Sequence, residues 1–384
     1  MPDNPDVLDR EAVLRALRRR PDIEAPNLYA VDATDRLLLD TADDLAAAGD
    51  GLRRGPIAVI GDRYGALTLG AAVAFPDATI GTHQDPITGV HALAANAADL
   101  GLTDRYRQGA VEDVADGARL VLMQLPRGRA ELTELVTAAA HGMHPDGVLL
   151  AGGRVKHMAM MMTDVLAGSF RDVTAGLARQ KSRVLTARGP EPDVAVVGPR
   201  IGRVAELNLD VVAYGPVFSG ATVDHGTAAL LGRLDAMLGP DVHTAVDLGC
   251  GTGILAVALA ARGLSVIATD RSDAAIRSAA ATAGRAGVAI EVLHDDAAAS
   301  IPDGSVDLVV CNPPFHEHTA VHVGGALKLF AAAGRILRPG GQLWTVHNTH
   351  LGYLRALRDA VGPTESIAHT GRYTVTRSVR AARD

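Results

Sequence analysis

One succession of strands, glycine turns and helices occurs twice in this chain, with the second copy about 188 residues after the first. Strands that alternate with helices indicate parallel βαβ units, and a repeat of this length indicates a duplicated domain rather than a solenoid unit. In the first copy, apolar runs typical of buried strands lie at residues 57–60, 78–82, 119–124 and 147–151. In the second copy, they lie at residues 245–248, 265–269, 306–311 and 342–346. The sequence therefore predicts two domains of one α/β fold.

We expect the first domain at residues 1–152, a basic connector at 153–208 and the second domain at 209–384. The connector contains a methionine cluster at 158–162 and many cations, which are Arg154, Lys156, His157, Arg171, Arg179, Lys181, Arg183, Arg188, Arg200 and Arg203. These cations could form a surface that faces RNA phosphates, or they could simply solvate a connecting segment.

The two copies differ where a ligand would bind. Val59 stands where the second copy has Asp247, Arg63 where it has Gly251, His83 where it has Asp270, and Gln124-Leu125-Pro126-Arg127 where it has Asn312-Pro313-Pro314-Phe315. Arg63 would place a long side chain where a ligand must approach bare backbone. We therefore expect the first copy to have lost its ligand site.

Composition excludes several classes of protein. The 384 residues include no apolar amino-terminal signal and no long uncharged apolar segment, so we expect a soluble, cytoplasmic protein without membrane contact. The formal net charge of -7 argues against a general nucleic-acid coat, and any RNA must then bind a local basic face. Two cysteines, Cys250 and Cys311, are too few for a disulfide framework or a zinc cluster.

An Asn-Pro-Pro-Phe motif follows the strand at 306–311. The prolines fix their own backbone and restrict the residue before each of them. Because neither proline has an N–H, the side-chain oxygen of Asn312 and the carbonyl of Pro313 remain as outward acceptors, which suits a planar amino group. Phe315 offers a face for stacking a flat ring. An ordinary turn is the alternative, but we predict that Asn312, Pro313, Pro314 and Phe315 are catalytic.

A glycine turn, Gly249-Cys250-Gly251-Thr252-Gly253, closes the strand at 245–248 and opens a helix. Such a turn lets a ligand lie against backbone N–H groups, and its Gly-x-Gly-x-Gly spacing differs from the dinucleotide fingerprint. Asp270 ends the next strand, where a carboxylate can accept ribose hydroxyls. One of Asp295 and Asp296 could receive an adenine amino group, and the other is then a capping or solvated acid. The predicted cofactor residues are Asp247, Gly249, Cys250, Gly251, Gly253, Asp270, Asp295, Asp296 and Asn312.

This set of residues resembles the class I S-adenosylmethionine-dependent methyltransferases, and Asn-Pro-Pro-Phe resembles the motif of their amino-methylating members. Val217-Phe218-Ser219-Gly220-Ala221-Thr222-Val223-Asp224-His225-Gly226 and Lys156-His157-Met158 are similar to stretches of the ribosomal RNA guanine-N2 methyltransferases, of the small subunit methyltransferase C and large subunit methyltransferase G type. The resemblance implies an α/β fold of two tandem Rossmann-like class I methyltransferase domains, the first of them degenerate. It also implies that Phe218 and Asp224 cover the cofactor.

By this resemblance the second domain methylates the exocyclic N2 amino group of a guanine in ribosomal RNA, with S-adenosyl-L-methionine as cofactor. The first domain is then a scaffold or RNA-docking domain, and the partner is ribosomal RNA or a ribosomal subunit. Asn312 and the Pro313 carbonyl would hold the amino group while Phe315 stacks on the base. We expect no metal, since His316, His318 and His322 lie on a loop without a nearby cysteine. We also expect a monomer.

Other functions remain open at this point. Another amino group, adenine N6 or a protein glutamine amide, could be the acceptor. A non-catalytic RNA-binding assembly factor could retain the fold, although such a protein would not need the complete set of Asp247, the three glycines, Asp270 and Asn312. A nicotinamide oxidoreductase is disfavoured by the glycine spacing.

Overall fold

The computed structural model describes residues 9–22, 24–49, 52, 55–313 and 320–382. Pro314, Phe315, His316 and His318 of the predicted site lie outside the described residues. The chain divides into two compact units, Met1–Gly198 and Pro199–Asp384. Each unit contains one seven-stranded sheet, which confirms the prediction of two α/β domains.

In the first unit the helices are α1 (Arg10–Ala16), α2 (Ala33–Ala47), α3 (Ala66–Ala74), α4 (Ile87–Asp99), α5 (Val111–Ala115), α6 (Arg129–Gly142) and α7 (Met160–Ala167). The strands are β1 (Ile57–Ile60), β2 (Ile80–His83), β3 (Tyr106–Gln108), β4 (Leu120–Gln124), β5 (Val148–Arg154), β6 (Phe170–Ala175) and β7 (Ser182–Pro190).

In the second unit the strands are β8 (Arg200–Val204), β9 (Leu209–Ala213), β10 (Thr244–Leu248), β11 (Ser265–Asp270), β12 (Glu291–His294), β13 (Val306–Cys311), β14 (Leu337–Asn348), β15 (Thr364–His369) and β16 (Tyr373–Val379). The helices are α8 (His225–Leu231), α9 (Leu234–Met237), α10 (Ile254–Ala260), α11 (Asp273–Ala286), α12 (Ala320–Ile336) and α13 (Leu354–Ala360).

The two large sheets have the same topology. Their strand orders are β3-β2-β1-β4-β5-β7-β6 and β12-β11-β10-β13-β14-β16-β15. In each sheet the first five strands are parallel. The sixth strand, β7 or β16, pairs antiparallel with the fifth, and the last strand, β6 or β15, pairs antiparallel with the sixth. From β10 the chain adds β11 and β12 on one side of the sheet and then β13 and β14 on the other side. Open α/β sheets bind ligands in the crevice at such a switch point, which here lies at the carboxyl ends of β10 and β13.

The central strands of each large sheet are buried on both faces, because consecutive residues along them are apolar. On β13, Leu308 and Val310 pack into the core beneath α8, while Val309 and Cys311 pack with Phe330 of α12 on the opposite face. Successive side chains of a strand point to opposite faces. The run at 306–311 is apolar throughout for this reason, as expected of a parallel strand covered on both sides.

The predicted boundary of the first domain was wrong. Residues 153–208 are not a connector, because β6 and β7 complete the first sheet and the division between the units falls after Gly198. β7 pairs with β5 from Arg154–Ser182 to Val148–Arg188. The cations misled the prediction because they lie at exposed or half-buried positions of the strands β5, β6, β7 and β8 and of the segments between them. On the edge strand β6 such charges also prevent further pairing.

Among the described residues, no helix is long and apolar enough to cross a membrane.

Candidate active site

The three glycines of the turn after β10 have positive φ angles and different surroundings. Gly249, Gly251 and Gly253 have φ of 78°, 53° and 76°, a region that favours glycine. A Cβ on Gly249 would meet no atom within 4 Å, and one on Gly251 would lie 4.0 Å from Val217 Cγ1. A Cβ on Gly253 would lie 2.8 Å from Ala279 of α11. Gly249 and Gly251 therefore border open space, whereas Gly253 allows α10 to pack against α11.

The first three N–H groups of this turn donate to acceptors within the protein. Gly249 and Cys250 donate to the carbonyl of Thr269 at 2.8 and 3.1 Å, and Gly251 donates to Asp270 Oδ2 at 3.0 Å. These three groups are committed to the chain, contrary to the expectation that they would face a ligand. With Asp247 and Asp270 beside it, the turn disfavours a phosphate, and it suits a ligand without an anion at this point.

Asp270 is held at the end of β11 by two backbone hydrogen bonds. Besides the bond from Gly251, its Oδ1 accepts from Ser272 N at 3.0 Å. The side chain of Ser272 in turn caps α11 by accepting from Ala275 N. A carboxylate fixed in this way retains lone pairs that can accept hydroxyl groups of a ligand.

Asp247 and Cys250 lie below the open space rather than facing it. Asp247 is 1% exposed, and its Oδ2 accepts from Ala256 N at 3.0 Å. Burial, and secondarily the charge of Asp270, raises the pKa of Asp247 to about 7. Cys250 packs in the core beneath α8, and burial raises the pKa of its thiol. These two residues support the turn and its helix.

Asp295 and Asp296, after β12, are both engaged. Asp295 is 9% exposed and accepts from Asp296 N at 2.7 Å, from Ser300 N at 2.8 Å and from Ser300 Oγ at 2.7 Å. Asp296 pairs with Lys328 of α12. Asp295 therefore shapes its own loop, and Asp296 is the more accessible of the two carboxylates.

Phe218 lies beside the turn in the segment that leads from β9 to α8. Tyr214 fixes this segment to α11, because its N–H donates to Ser278 Oγ at 3.0 Å and the Arg277 guanidinium lies 4.1 Å from its ring centroid. Val217 then approaches Gly251, and the next residue, Phe218, is 56% exposed. This position is compatible with the predicted role of Phe218 as a cover for a ligand in the crevice.

Asn312 follows β13 and is held by the first turn of α8. Its Nδ2 donates to Asp224 Oδ1 at 3.1 Å, to Asp224 Oδ2 at 3.3 Å and to Thr227 Oγ1 at 3.1 Å. Asp224 is the N-cap of α8 and also accepts from Gly226 N and Thr227 N. Because an amide donates only through nitrogen, these contacts fix the orientation of Asn312 and leave its oxygen as the acceptor. We call Asp224, Thr227 and Asn312 the amide clamp.

Gly226 allows the amide clamp to close. A Cβ at this position would lie 2.9 Å from Asn312 Oδ1 and 3.0 Å from Asp224 Oδ1, so a side chain here would displace one of them. Sequence reasoning predicted Asp224 as a cofactor cover or helix cap and did not link it to Asn312. The Asp-x-x-Thr spacing signals a helix start, but nothing in it identifies the partner strand.

The first domain fills the equivalent of the crevice with its own side chains. Gly61 N donates to His83 O as Gly249 N does to Thr269 O, so Gln84, and not His83 as predicted, occupies the position of Asp270. Gln84 is 3% exposed and donates to the carbonyls of Asp62 and Arg63 at 2.7 and 3.5 Å.

Asp62 occupies the turn itself. It is 2% exposed and accepts from Gly65 N at 3.2 Å, Thr68 N at 2.8 Å and Thr68 Oγ1 at 2.7 Å. Arg63, which the sequence suggested as the blocking residue, is exposed. The first domain is therefore degenerate because Asp62 and Gln84 fill its turn.

Comparisons with known proteins agree with this architecture. The RLMG N-terminal domain model matches residues 7–191, and the Methyltransferase small domain model matches residues 208–377. The ribosomal RNA large subunit methyltransferase G of Shewanella amazonensis is 31% identical over 95% of this chain and 96% of its own length. The protein of the same name from Streptomyces coelicolor is 32% identical over 95% of this chain and 98% of its own. This chain belongs to the ribosomal RNA large subunit methyltransferase G family.

A solved structure shares the fold of this methyltransferase. It is the 16S rRNA N2 methyltransferase RsmC of T. thermophilus, in complex with AdoMet and guanosine. It has a TM-score of 0.76 and 23% identity, and the match covers 97% of this chain and 100% of that one. The family matches confirm the predicted methyltransferase class, and this structure confirms the two-domain fold.

Proposed function

We propose that the second domain transfers a methyl group from S-adenosylmethionine to the N2 amino group of a guanine in the RNA of the large ribosomal subunit. The observation that carries this proposal is the amide clamp, which orients Asn312 at the carboxyl end of β13, the strand beside the glycine turn. Membership in the methyltransferase G family supports ribosomal RNA as the substrate, and the name of the RsmC structure supports N2 as the acceptor atom.

The described residues fit S-adenosylmethionine. Gly249 and Gly251 border open space. We assign the ribose hydroxyls to Asp270 at the end of β11, and the cover over the ligand to the exposed ring of Phe218. We assign the adenine amino group to Asp296, the more accessible of the two acids, which also pairs with Lys328. We assign the frame around the site to the buried residues Asp247, Cys250 and Asp295 and to Gly253. The cofactor supplies a methyl group bonded to a positively charged sulfur. This charge suits a turn that has acids beside it and whose Gly249, Cys250 and Gly251 N–H groups are already bonded within the chain.

Catalysis in this proposal is positioning plus electrostatics. The clamp commits the nitrogen of Asn312 to Asp224 and Thr227, so that the Asn312 oxygen and the Pro313 carbonyl can accept both hydrogens of the guanine amino group. This orientation directs the nitrogen lone pair toward the methyl donor. The excess proton can leave after transfer, and the mechanism requires no strong base. Pro314 and Phe315 would complete the loop and stack on the base.

RNA docking is the proposed role of the first domain. The carboxyl end of β5 and the start of β7 bring together Arg127, Arg154, Lys156, His157 and Lys181, which we call the basic edge. Val155 N donates to Lys181 O at 2.9 Å, and Arg127 Nη2 lies 3.4 Å from His157 Nε2. Desolvation and then the charges of Arg127, Lys156 and Arg154 lower the pKa of His157.

The basic edge is suited to phosphate because its cations are not neutralised by the protein. None of Arg127, Arg154, Lys156 and Lys181 forms an ion pair with a described acidic residue. In a chain with a net charge of -7, a cluster of this kind concentrates positive potential at one place.

The basic edge is tested by reversing two charges. A variant with Lys156→Glu and Lys181→Glu should raise the KM for RNA about tenfold or more and reduce the salt dependence of RNA binding. Its affinity for S-adenosylmethionine should not change. Arg355→Glu, at an exposed site on α13, is the control and should leave the KM for RNA within about twofold. Equal effects of the two variants would contradict the docking role.

The proposed reaction is tested by methyl transfer. Labelled S-adenosylmethionine is supplied with large subunits, small subunits and their naked RNAs from a strain that lacks this protein, and the nucleosides are then analysed. We expect label in N2-methylguanosine of the large-subunit RNA. Label in N6-methyladenosine or on a protein glutamine would contradict guanine N2 as the acceptor. Label on the small-subunit RNA alone would contradict the large subunit as the substrate.

A further inference from the structure

A buried polar atom at the end of β14 lacks a hydrogen-bond partner. Asn348 is the last residue of that strand and is 7% exposed, and its Oδ1 makes no hydrogen bond within the part of the chain that the structure describes. Buried polar atoms in folded proteins are nearly always paired, and the exceptions tend to have a functional reason. A ligand that donates a hydrogen bond would provide such a reason.

Asn348 lies on the same face of the sheet as Asn312. β13 and β14 pair in parallel with Cys311 opposite Thr345. In the same register, Asn312 lies opposite Val346, and Asn348 lies two residues after Val346 on β14. Val310, Trp344 and Val346 pack into one core, and alternate residues share a face. The Cα atoms of Asn312 and Asn348 are thus separated by roughly 8 Å at the carboxyl edge of the sheet.

The first turn of α8 covers the same region. Asp224 holds Asn312 from this helix, and the adjacent His225 ring lies 6.4 Å from the ring of Tyr373. Tyr373 is paired with Asn348 across β14 and β16. Asn348 therefore lies between the strand that carries Asn312 and the strand that carries Tyr373. His347 also has an unpaired buried atom, Nε2, but it points to the opposite face and contacts the Tyr353 ring.

We propose that Asn348 reads the ring N1–H of the acceptor guanine, next to the amino group held by Asn312; this inference rests on the proposed function. Guanine carries an N–H at N1 beside its N2 amino group, whereas adenine carries a lone pair at N1 beside its N6 amino group. An acceptor oxygen at Asn348 pairs with the former and repels the latter. Enzymes that act on extruded bases read them by hydrogen bonds to this edge.

The test uses RNA in which the modified guanosine, once located, is replaced by 2-aminopurine riboside. This base keeps the amino group at C2 but has a lone pair at N1 and no O6. Wild-type protein should prefer guanine by about 100-fold or more in kcat/KM. Asn348→Ala should lower kcat/KM for guanine about 10- to 100-fold, because guanine loses a hydrogen bond. It should leave kcat/KM for 2-aminopurine unchanged or raise it, because the repelling oxygen is removed.

Gln342→Ala is the matched control. Gln342 lies on the same strand and the same face, six residues earlier and roughly 20 Å from Asn348, where it accepts from Trp344 Nε1. This variant should leave the preference for guanine unchanged. Equal losses on both bases in Asn348→Ala, or no loss on guanine, would overturn the inference, since a structural residue would affect both substrates alike.

A second variant covers the case in which the alanine variant of Asn348 does not fold. If Asn348→Ala shows no cooperative thermal unfolding transition and therefore does not fold, Asn348→Asp replaces it, because it keeps an acceptor oxygen. Its preference for guanine should stay within about tenfold of the wild-type value, and loss of that preference would overturn the inference. Failure of wild-type protein to make N2-methylguanosine would instead overturn the proposed function.

Discussion

The two domains share a fold and differ in what fills the crevice at the carboxyl edge of the sheet. Both begin the helix after the turn with a glycine in the left-handed region, Gly65 and Gly253. In both, a buried carboxylate accepts from the N–H of the third helical residue: Asp62 from Thr68, and Asp247 from Ala256. Features that stabilise the fold are therefore present in both copies.

The features that would serve chemistry differ. Where Asp270 accepts from the backbone of its turn, Gln84 donates to the backbone of the other turn. Gln124 occupies the position of Asn312 and donates to Asp35 of α2 at 2.5 Å, as Asn312 donates to the first turn of α8. Arg154 stands where the second domain has Asn348. The two copies of one fold thus differ in a few side chains at one edge of the sheet, where a site for chemistry would lie.

The strongest contrast is expected at the paired amides. Asn312→Ala should reduce methyl transfer about 100-fold or more, because the amino group loses its oriented acceptor. Gln124→Ala, its counterpart in the first domain, should keep the wild-type rate. Both variants are assayed in single-turnover reactions with saturating S-adenosylmethionine. An unchanged rate in Asn312→Ala would refute its role.

The N-caps of α8 and α2 form the next pair. Asp224→Ala should lower kcat about 10- to 100-fold with little change in cofactor affinity, since Asn312 loses the group that orients it. Asp32→Ala removes the capping box of α2 and should cost about 1 kcal/mol of stability with no change in kcat.

Asp224→Asn separates capping from positioning. Asparagine is a good N-cap, so this variant should recover the stability that Asp224→Ala loses, but only part of its kcat. Full recovery of kcat together with stability would show that Asp224 acts only as a cap.

Asp270 and Gln84 occupy equivalent positions and should differ in cofactor binding. Asp270→Ala should weaken the affinity for S-adenosylmethionine about 10- to 100-fold, because hydrogen bonds to a charged group are lost. Gln84→Ala should not change it. Isothermal titration calorimetry of both variants measures this, and a cofactor affinity that depends on Gln84 would contradict the assignment.

The smallest expected effect concerns pH and is shared by both domains. Burial raises the pKa of Asp247 and of Asp35 to about 7, above the value of about 3.9 for an unfolded chain. The folded state then binds more protons in this interval, so stability falls as pH rises from about 4 to about 7, by at most about 1.4 kcal/mol per pH unit for each group.

Asp247→Asn and Asp35→Asn should each flatten this dependence, because the amide does not ionise. The Tm measured between pH 5 and pH 8 should fall less in either variant than in the wild type, by a few degrees. An unchanged slope in either variant would contradict the assigned titration of that residue.

The sequence predicted the parts of the site that are local in the chain. The local pattern is enough to single out Gly249, Gly251 and the Asn312-Pro313 pair, because each motif has a characteristic spacing and follows an apolar strand. The amide clamp was not predictable, because Asn312 and Asp224 are separated by 88 positions and only the folded sheet brings them together. The position of Gln84 was missed by one residue, because strand register is set by pairing and not by the local pattern.

We expect the chain, with its two domains of one fold, to have a single cofactor site, which lies in the second domain. Calorimetric titration of the full chain with S-adenosylmethionine tests it most directly. We predict one site per chain, with its affinity strongly reduced in Asp270→Ala and unchanged in Gln84→Ala. Two sites per chain, or one site that persists unchanged in Asp270→Ala, would contradict the account.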